Sequence, residues 1–113
     1  MDPLTKYRDA VMSVLQVWEQ RPGPESSLRF EAVFDRDRDR YLLVTVGWDG
    51  HHHVHSTLAH IEMIGDKVWV QHDQTERGLA PDLVAAGVPA DRIVLGFKCF
   101  GGARFVIHLR RSA

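Results

Sequence analysis

The chain has 113 residues, of which 14 are Lys or Arg and 15 are Asp or Glu, so its formal net charge is −1. This length predicts a single domain over residues 1–113, and the near-zero charge provides no long-range field that would gather phosphates or anionic lipids. Hydrophobic residues make up 44% and charged residues 26% of the sequence, which excludes a disordered or collagen-like chain.

The cysteine content and the N-terminal residues bear on the cellular compartment. The only cysteine, Cys99, cannot form an internal disulfide or complete a cysteine-based zinc cluster. The residues after Met1 contain no basic segment followed by an apolar run, and no stretch reaches the ~18 apolar residues of a membrane span. We therefore expect a cytoplasmic protein that is neither secreted nor inserted in a membrane.

The first predicted element is a helix over residues 3–20. Asp2 can accept hydrogen bonds from the free amides of the first turn, and the fixed φ of Pro3 suits the first helical position. Apolar residues recur at steps of three and four and so share one helical face: Leu4, Tyr7, Val11, Leu15 and Trp18. The Pro-Gly-Pro run at residues 22–24 ends the helix.

The middle of the chain has the pattern of β-strands. Alternation of apolar and charged residues from Leu28 predicts a strand with one buried face, and the apolar run at 41–48 predicts a central strand covered on both faces. Residues 35–40 alternate Asp with Arg and predict a solvated hairpin turn between them. Turn dipeptides at 49–50 and 65–66 delimit a third strand over 52–64 and lead into a fourth over 67–72. Four sequential strands with short loops predict an antiparallel meander.

The remaining elements are shorter. Thr75 and Glu76 are expected to begin a helical segment that ends at Gly87, with Pro81 kinking it or restarting it one turn later. A turn at 89–92 leads to a short strand over 93–97, and two glycines at 101–102 precede a last strand over 104–109. The predicted fold class is therefore α+β, with an N-terminal helix, a four-stranded antiparallel meander, a short helix and one or two C-terminal strands.

Four of the seven histidines lie within residues 51–55. Alternate residues of a strand share a face, so His51, His53 and His55 would point the same way and could supply zinc ligands. The alternatives are solvated histidines at the start of a strand, or a weakly basic patch that includes His52.

A second polar group precedes the short helix. It has the residue types of a general acid-base pair, but the same types serve turns and helix caps, which we expect here. Its members are His60, Gln71, Asp73, Thr75 and Glu76.

Arginine, which suits phosphates and guanine edges, is much more common than lysine in this sequence. The candidate nucleic-acid contacts are Arg36, Arg38, Arg40, Arg104, Arg110 and Arg111. The first three alternate with aspartates and so give no net charge, whereas the last three are unopposed. We therefore expect contact with DNA to be indirect.

The aromatic residues exceed what a core of this size must use. Trp48 and Trp69 are candidates for an exposed surface, together with His52 and His53 beside them. A partner protein or a second copy of the chain would cover such a surface. The alternative is that the aromatic residues simply build the core.

A series of short motifs runs in order across some two-thirds of the chain, at residues 34–35, 39–41, 46–48, 54–55, 60–62, 65–71, Asp73, 75–76, 78–80, 87–89 and 91–97, after a helical start near Tyr7 and Arg8. These motifs resemble those of the XisI family, the controlling factors for excision of the fdxN element in cyanobacteria. The family usually has Arg or Lys at positions 52 and 53, which weighs against metal ligation there, and its sequence differs after Phe97.

The resemblance implies a cytoplasmic domain that works beside a XisH-like protein, which itself resembles a nuclease, in a recombinase-dependent DNA deletion. It supplies no catalytic residues and no cofactor. We therefore expect a non-enzymatic accessory factor that binds a XisH-like partner, and itself, in support of programmed DNA excision. The alternatives are a direct DNA-binding factor with Arg-rich loops and a metal-dependent hydrolase that uses residues 51–55.

Overall fold

The computed structural model of the protein describes residues 2–100 and 103–106, with side chains for residues 2–97. Its elements in chain order are α1 (Pro3–Glu19), β1 (Leu28–Asp35), β2 (Arg40–Asp49), β3 (His52–Ile64), β4 (Lys67–Asp73), α2 (Ala80–Ala85), a 3-10 turn (Ala90–Arg92), β5 (Ile93–Phe100) and β6 (Ala103–Val106). Among these residues, no helix has the length and apolar content needed to cross a membrane.

The N-terminal helix forms as its sequence predicts. The Asp2 carboxylate accepts a hydrogen bond from the Leu4 amide at 3.1 Å, and proline occupies the first turn. Val11 and Leu15 are fully buried, and the other members of the predicted apolar stripe pack against the same core. The amphipathic pattern of α1 therefore places it on the sheet.

The six strands form one sheet in sequence order. Strands β1 to β4 pair antiparallel, which confirms the predicted meander. Strand β5 runs parallel to β4, and β6 pairs antiparallel with β5, so the sheet is mixed. Strand β5 extends to Phe100 rather than ending at residue 97. The last strand covers residues 103–106, and the two glycines at 101–102 and the predicted continuation to residue 109 lie outside the described residues.

Both helices pack on the same face of the sheet. Their buried residues join the core with alternate residues of the central strands, such as Tyr41, Leu43 and Ile61. On the other face, no described helix covers Leu42, Val44 or Val46. The described helices therefore cover β2 on one face only, although its residues 41–47 are all buried or half-buried. A run of apolar residues shows that neither face of a strand carries charged side chains, but it does not show which element packs on each face.

The predicted start of the second helix at Thr75 is wrong, because α2 begins at Ala80. The Asp73 carboxylate accepts from the Thr75 amide at 2.9 Å and from the Leu79 amide at 2.7 Å, so the chain loops around it. Gly78 has a φ of +80°, in the left-handed region, which interrupts a helical path. Asp73 therefore serves a turn, as expected for this polar group.

The prediction that the charges of the 35–40 turn are all solvated is wrong for Asp39, whose side chain is 21% exposed. Its carboxylate accepts two hydrogen bonds from the Arg8 guanidinium of α1, at 2.6 and 3.0 Å. This ion pair fixes the turn to the helix. The partners are 31 residues apart in sequence, so no local pattern indicates the contact.

Candidate functional site

The residues predicted to bind a partner or nucleic acid do not form one site. Arg36 and Arg38 lie in the β1–β2 turn, and Arg40, Trp48, His53 and Trp69 lie on the face of the sheet opposite the helices. His52 points to the helical side, since it precedes His53 in the same strand. Arg104 lies in β6, outside the described side chains, and Arg110 and Arg111 lie outside the described residues.

We call the side of the sheet opposite α1 and α2 the open face. Its apolar side chains include Val33, Leu42, Val44, Val46, Ile64 and Trp69, which share that side by strand alternation and pairing. Val33, Trp48 and Ile64 are 46%, 54% and 45% exposed. An apolar surface of this kind is typical of an interface.

The histidines at 51–55 are divided between two environments. His51 lies in the turn before β3, whereas His53 and His55 lie on the open face opposite Trp48 and Val46. The rings of His53 and Trp48 are 4.9 Å apart. Among the described residues, no group of three His, Cys, Asp or Glu side chains is placed to hold a metal ion. The His51, His53 and His55 set therefore does not come together as a three-ligand site.

Glu62 is the centre of a polar cluster on the open face. Its carboxylate lies 3.3 Å from Arg40 Nε and accepts a 3.0 Å hydrogen bond from Gln71 Nε2. His60 Nε2 is 3.8 Å from the same carboxylate, which is too long for the hydrogen bond that a histidine–carboxylate general base requires. The cluster joins β2, β3 and β4.

The arginines of the β1–β2 turn are largely opposed by carboxylates. Arg38 Nε lies 3.9 Å from Asp35, and Arg40 pairs with Glu62. Arg36 makes no ion pair among residues with described side chains. The turn therefore presents little net positive charge, as its sequence predicts.

A second surface was not predicted from the sequence. It is a groove between α1 and α2 made of two adjoining cavities of about 340 and 300 Å³. We call it the α1–α2 groove, lined by Val14, Val17, Trp18, Arg21, Arg77 and Asp82.

The α1–α2 groove combines apolar and cationic groups. The Arg21 guanidinium stacks over the Trp18 ring at 4.1 Å, and Val17 is 56% exposed. Neither Arg21 nor Arg77 makes an ion pair with any described side chain. The groove therefore suits a segment that offers an apolar side chain next to a carboxylate. The exposed Val17 is a local signal for it, but Arg21 and Arg77 come together only through the fold.

Comparisons with known proteins agree with this fold. No curated protein matches the chain. The crystal structure of a XisI-like protein from Anabaena variabilis is similar with a TM-score of 0.77 and 29% identity, over 85% of this chain and 88% of that one. The structure of the fdxN element excision controlling factor XisI from the same organism has a TM-score of 0.70 and 27% identity, over 86% of this chain and 94% of that one. A family model described as XisI protein matches residues 1–105, so the chain belongs to the XisI family.

Proposed function

We propose that this chain is a non-enzymatic accessory factor that binds a XisH-like, nuclease-fold partner and supports programmed DNA excision through it. Two observations support the proposal: membership of the XisI family and similarity to a structure named as an excision controlling factor. Contact with DNA is indirect in this proposal.

The α1–α2 groove is the observation that carries the proposal. Trp and Arg are among the residue types most enriched at the energetic centres of protein interfaces, and the groove presents both, with Arg21 over the Trp18 ring. Its cationic groups lack carboxylate partners among the described residues, so a partner segment can supply them. Val17 offers the apolar contact beside them.

The groove accepts a short partner segment better than a nucleic-acid backbone. Glu76 and Asp82 line the same concavity without pairing with Arg21 or Arg77, so a single carboxylate can bind between the arginines, whereas a run of phosphates would also pass the two acidic side chains and be repelled. A peptide that places one carboxylate between the arginines and one apolar side chain at Val17 matches the charges and the cavity. By occupying this groove, the chain would recruit the nuclease-fold partner or restrain it.

The test is co-expression of the tagged chain with a XisH-like protein from the same genome, followed by affinity purification and chromatography of the complex. We expect the wild-type chain to retain the partner. Val17→Glu and Arg77→Glu should each reduce retention at least tenfold, since one adds a charge at the apolar contact and the other reverses a charge. Trp48→Glu on the open face is the matched control and should retain the partner as the wild type does.

Absence of a complex with the wild-type chain would contradict the proposal, as would full retention by both groove variants. Retention of the chain alone on DNA, weakening steeply as salt increases, would instead favour a direct DNA-binding factor.

A further inference from the structure

The open face has the composition of a buried surface, although the helices lie on the other side. Val44 is 6% and Val94 is 2% exposed. Val33, Trp48 and Ile64 extend this apolar surface outward and remain about half exposed in the single chain. Among the described residues nothing covers this layer.

The charged groups of the open face are balanced. Among the residues with described side chains, three cationic and three anionic side chains lie on it, namely Arg29, Arg40, Lys67, Glu31, Asp35 and Glu62. Two opposite pairs are already in contact, since Arg29 lies 2.9 Å from Glu31 and Arg40 lies 3.3 Å from Glu62. A face with one dominant sign would repel its own copy, whereas the Asp, Glu, Lys and Arg side chains described on this face balance one another and do not oppose self-association.

The edge of the sheet at β1 is protected, which disfavours association through that edge. The outward amide of Ala32 donates to the Glu19 carboxylate at 2.9 Å, and Pro22 bridges to Arg29. A second copy is therefore hindered from extending the sheet at this edge.

The size of the open face fits a stable dimer. Strands β1 to β5 span about 24 Å at ~4.8 Å per strand, and strands of about eight residues are ~27 Å long. The surface area of the open face is thus roughly 650 Å² per copy, so a dimer that buries it on both copies would bury roughly 1,300 Å². This total lies within the range of about 1,200–2,000 Å² that specific interfaces bury.

We infer that two copies of this chain pack open face to open face as a two-fold symmetric dimer. The apolar layer around Val44 is the centre of the interface, and Trp48 and Ile64 are inserted between the two sheets. The balanced charges lie around this layer. The dimer uses the side of the molecule opposite the α1–α2 groove, so it does not depend on the function proposed above.

The test is sedimentation equilibrium of the full chain over a wide concentration range. The wild type should approach twice the chain mass of 12.9 kDa. Trp48→Glu and Ile64→Glu should each raise the dimer dissociation constant at least tenfold, because each would bury an unpaired carboxylate at the interface. Both positions are about half exposed in the single chain, so circular dichroism should show both variants folded.

Val17→Glu is the matched control, since it places the same charge on an equally exposed valine of the helical side. It should leave the dissociation constant unchanged. A wild-type chain that is monomeric at every concentration would overturn the inference. Equal weakening by Val17→Glu and by the open-face variants would also overturn it.

Discussion

At the level of single residues, Asp39 joins three parts of the fold. Its carboxylate accepts from Arg8 of α1 and, at 2.9 Å, from the Tyr41 hydroxyl of β2. Its carbonyl oxygen accepts from the Met63 amide of β3 at 3.0 Å. The residue adopts a φ of 55°, a left-handed conformation that Asp and Asn tolerate better than other side chains. The hydrogen bonds from Arg8 hold the pKa of the Asp39 carboxyl below its ordinary value.

Asp39→Asn should lower the free energy of unfolding by about 1–3 kcal/mol, because the charge-assisted hydrogen bonds to Arg8 are lost while the backbone conformation is kept. Asp39→Ala should cost about 1 kcal/mol more, since alanine disfavours a positive φ. Urea unfolding measures both. Asp37→Asn removes a charge from an exposed position of the same turn and should be nearly neutral. Equal effects of Asp37→Asn and Asp39→Asn would contradict the role given to Asp39.

Stability should fall at alkaline pH because of Tyr41. Burial and the hydrogen bond to Asp39 raise the pKa of its phenol from 10.0 to about 12. Between these two pH values the folded state keeps the phenol proton that the unfolded chain releases. The contribution of Tyr41 to the free energy of unfolding is therefore fully present below pH 10 and is lost as the pH rises towards 12. Between pH 10 and pH 12 the free energy of unfolding should therefore fall by about 2 kcal/mol.

Urea unfolding at a series of pH values measures this loss, and Tyr41→Phe is the control. The phenylalanine variant lacks both the hydroxyl and its titration, so its alkaline loss should be smaller by the same amount. Parallel pH profiles of the two proteins would show that Tyr41 does not titrate as described.

At the level of elements, the end of α1 protects the edge of β1. Glu19 is the last residue of the helix, and its carboxylate occupies the amide of Ala32 that would otherwise be free to pair with another strand. The bridge between Pro22 and Arg29 covers the neighbouring position. Helix, loop and strand together therefore limit edge-to-edge pairing.

Glu19→Ala should lower the free energy of unfolding by about 1 kcal/mol and increase aggregation on mild heating, because it frees the Ala32 amide. Glu19→Gln keeps an oxygen acceptor and should behave close to the wild type. Urea unfolding and light scattering measure the two effects. A Glu19→Ala variant as resistant to aggregation as the wild type would show that the edge is protected by other means.

Local signals predicted α1 and the meander because each depends on neighbours in sequence. The Asp2 cap, the 3.6-residue period and two-residue loops such as 65–66 are all short-range features. Three other features depend on residues that are far apart in sequence, so no short stretch of sequence could predict them. They are the β4–β5 pairing, the Arg8–Asp39 ion pair and the placement of Arg21 and Arg77 in one groove. The late start of α2 is not predicted because Asp73 accepts from the Leu79 amide, which a helix from Thr75 would instead pair with the Thr75 carbonyl.

At the level of the whole molecule, the proposed partner groove and the proposed dimer surface lie on opposite sides of one sheet. The helices build the first surface, and the strands alone build the second. Trp18 lies on the helical side and Trp48 on the open side. A partner in the α1–α2 groove therefore leaves the open face accessible, and Val17→Glu and Trp48→Glu separate the two contacts.

The parallel pairing of β5 with β4 sets an order for folding. Hairpins such as β3–β4 close through two residues and form within about 1–10 µs. The pairing of β5 with β4 closes the connection over residues 74–92, which is a longer-range and therefore slower closure. During synthesis β4 emerges before β5. The backbone groups at the outer edge of β4 are therefore unpaired for a time, whereas the edge of β1 is already protected. That interval is when a nascent chain is most exposed to mispairing.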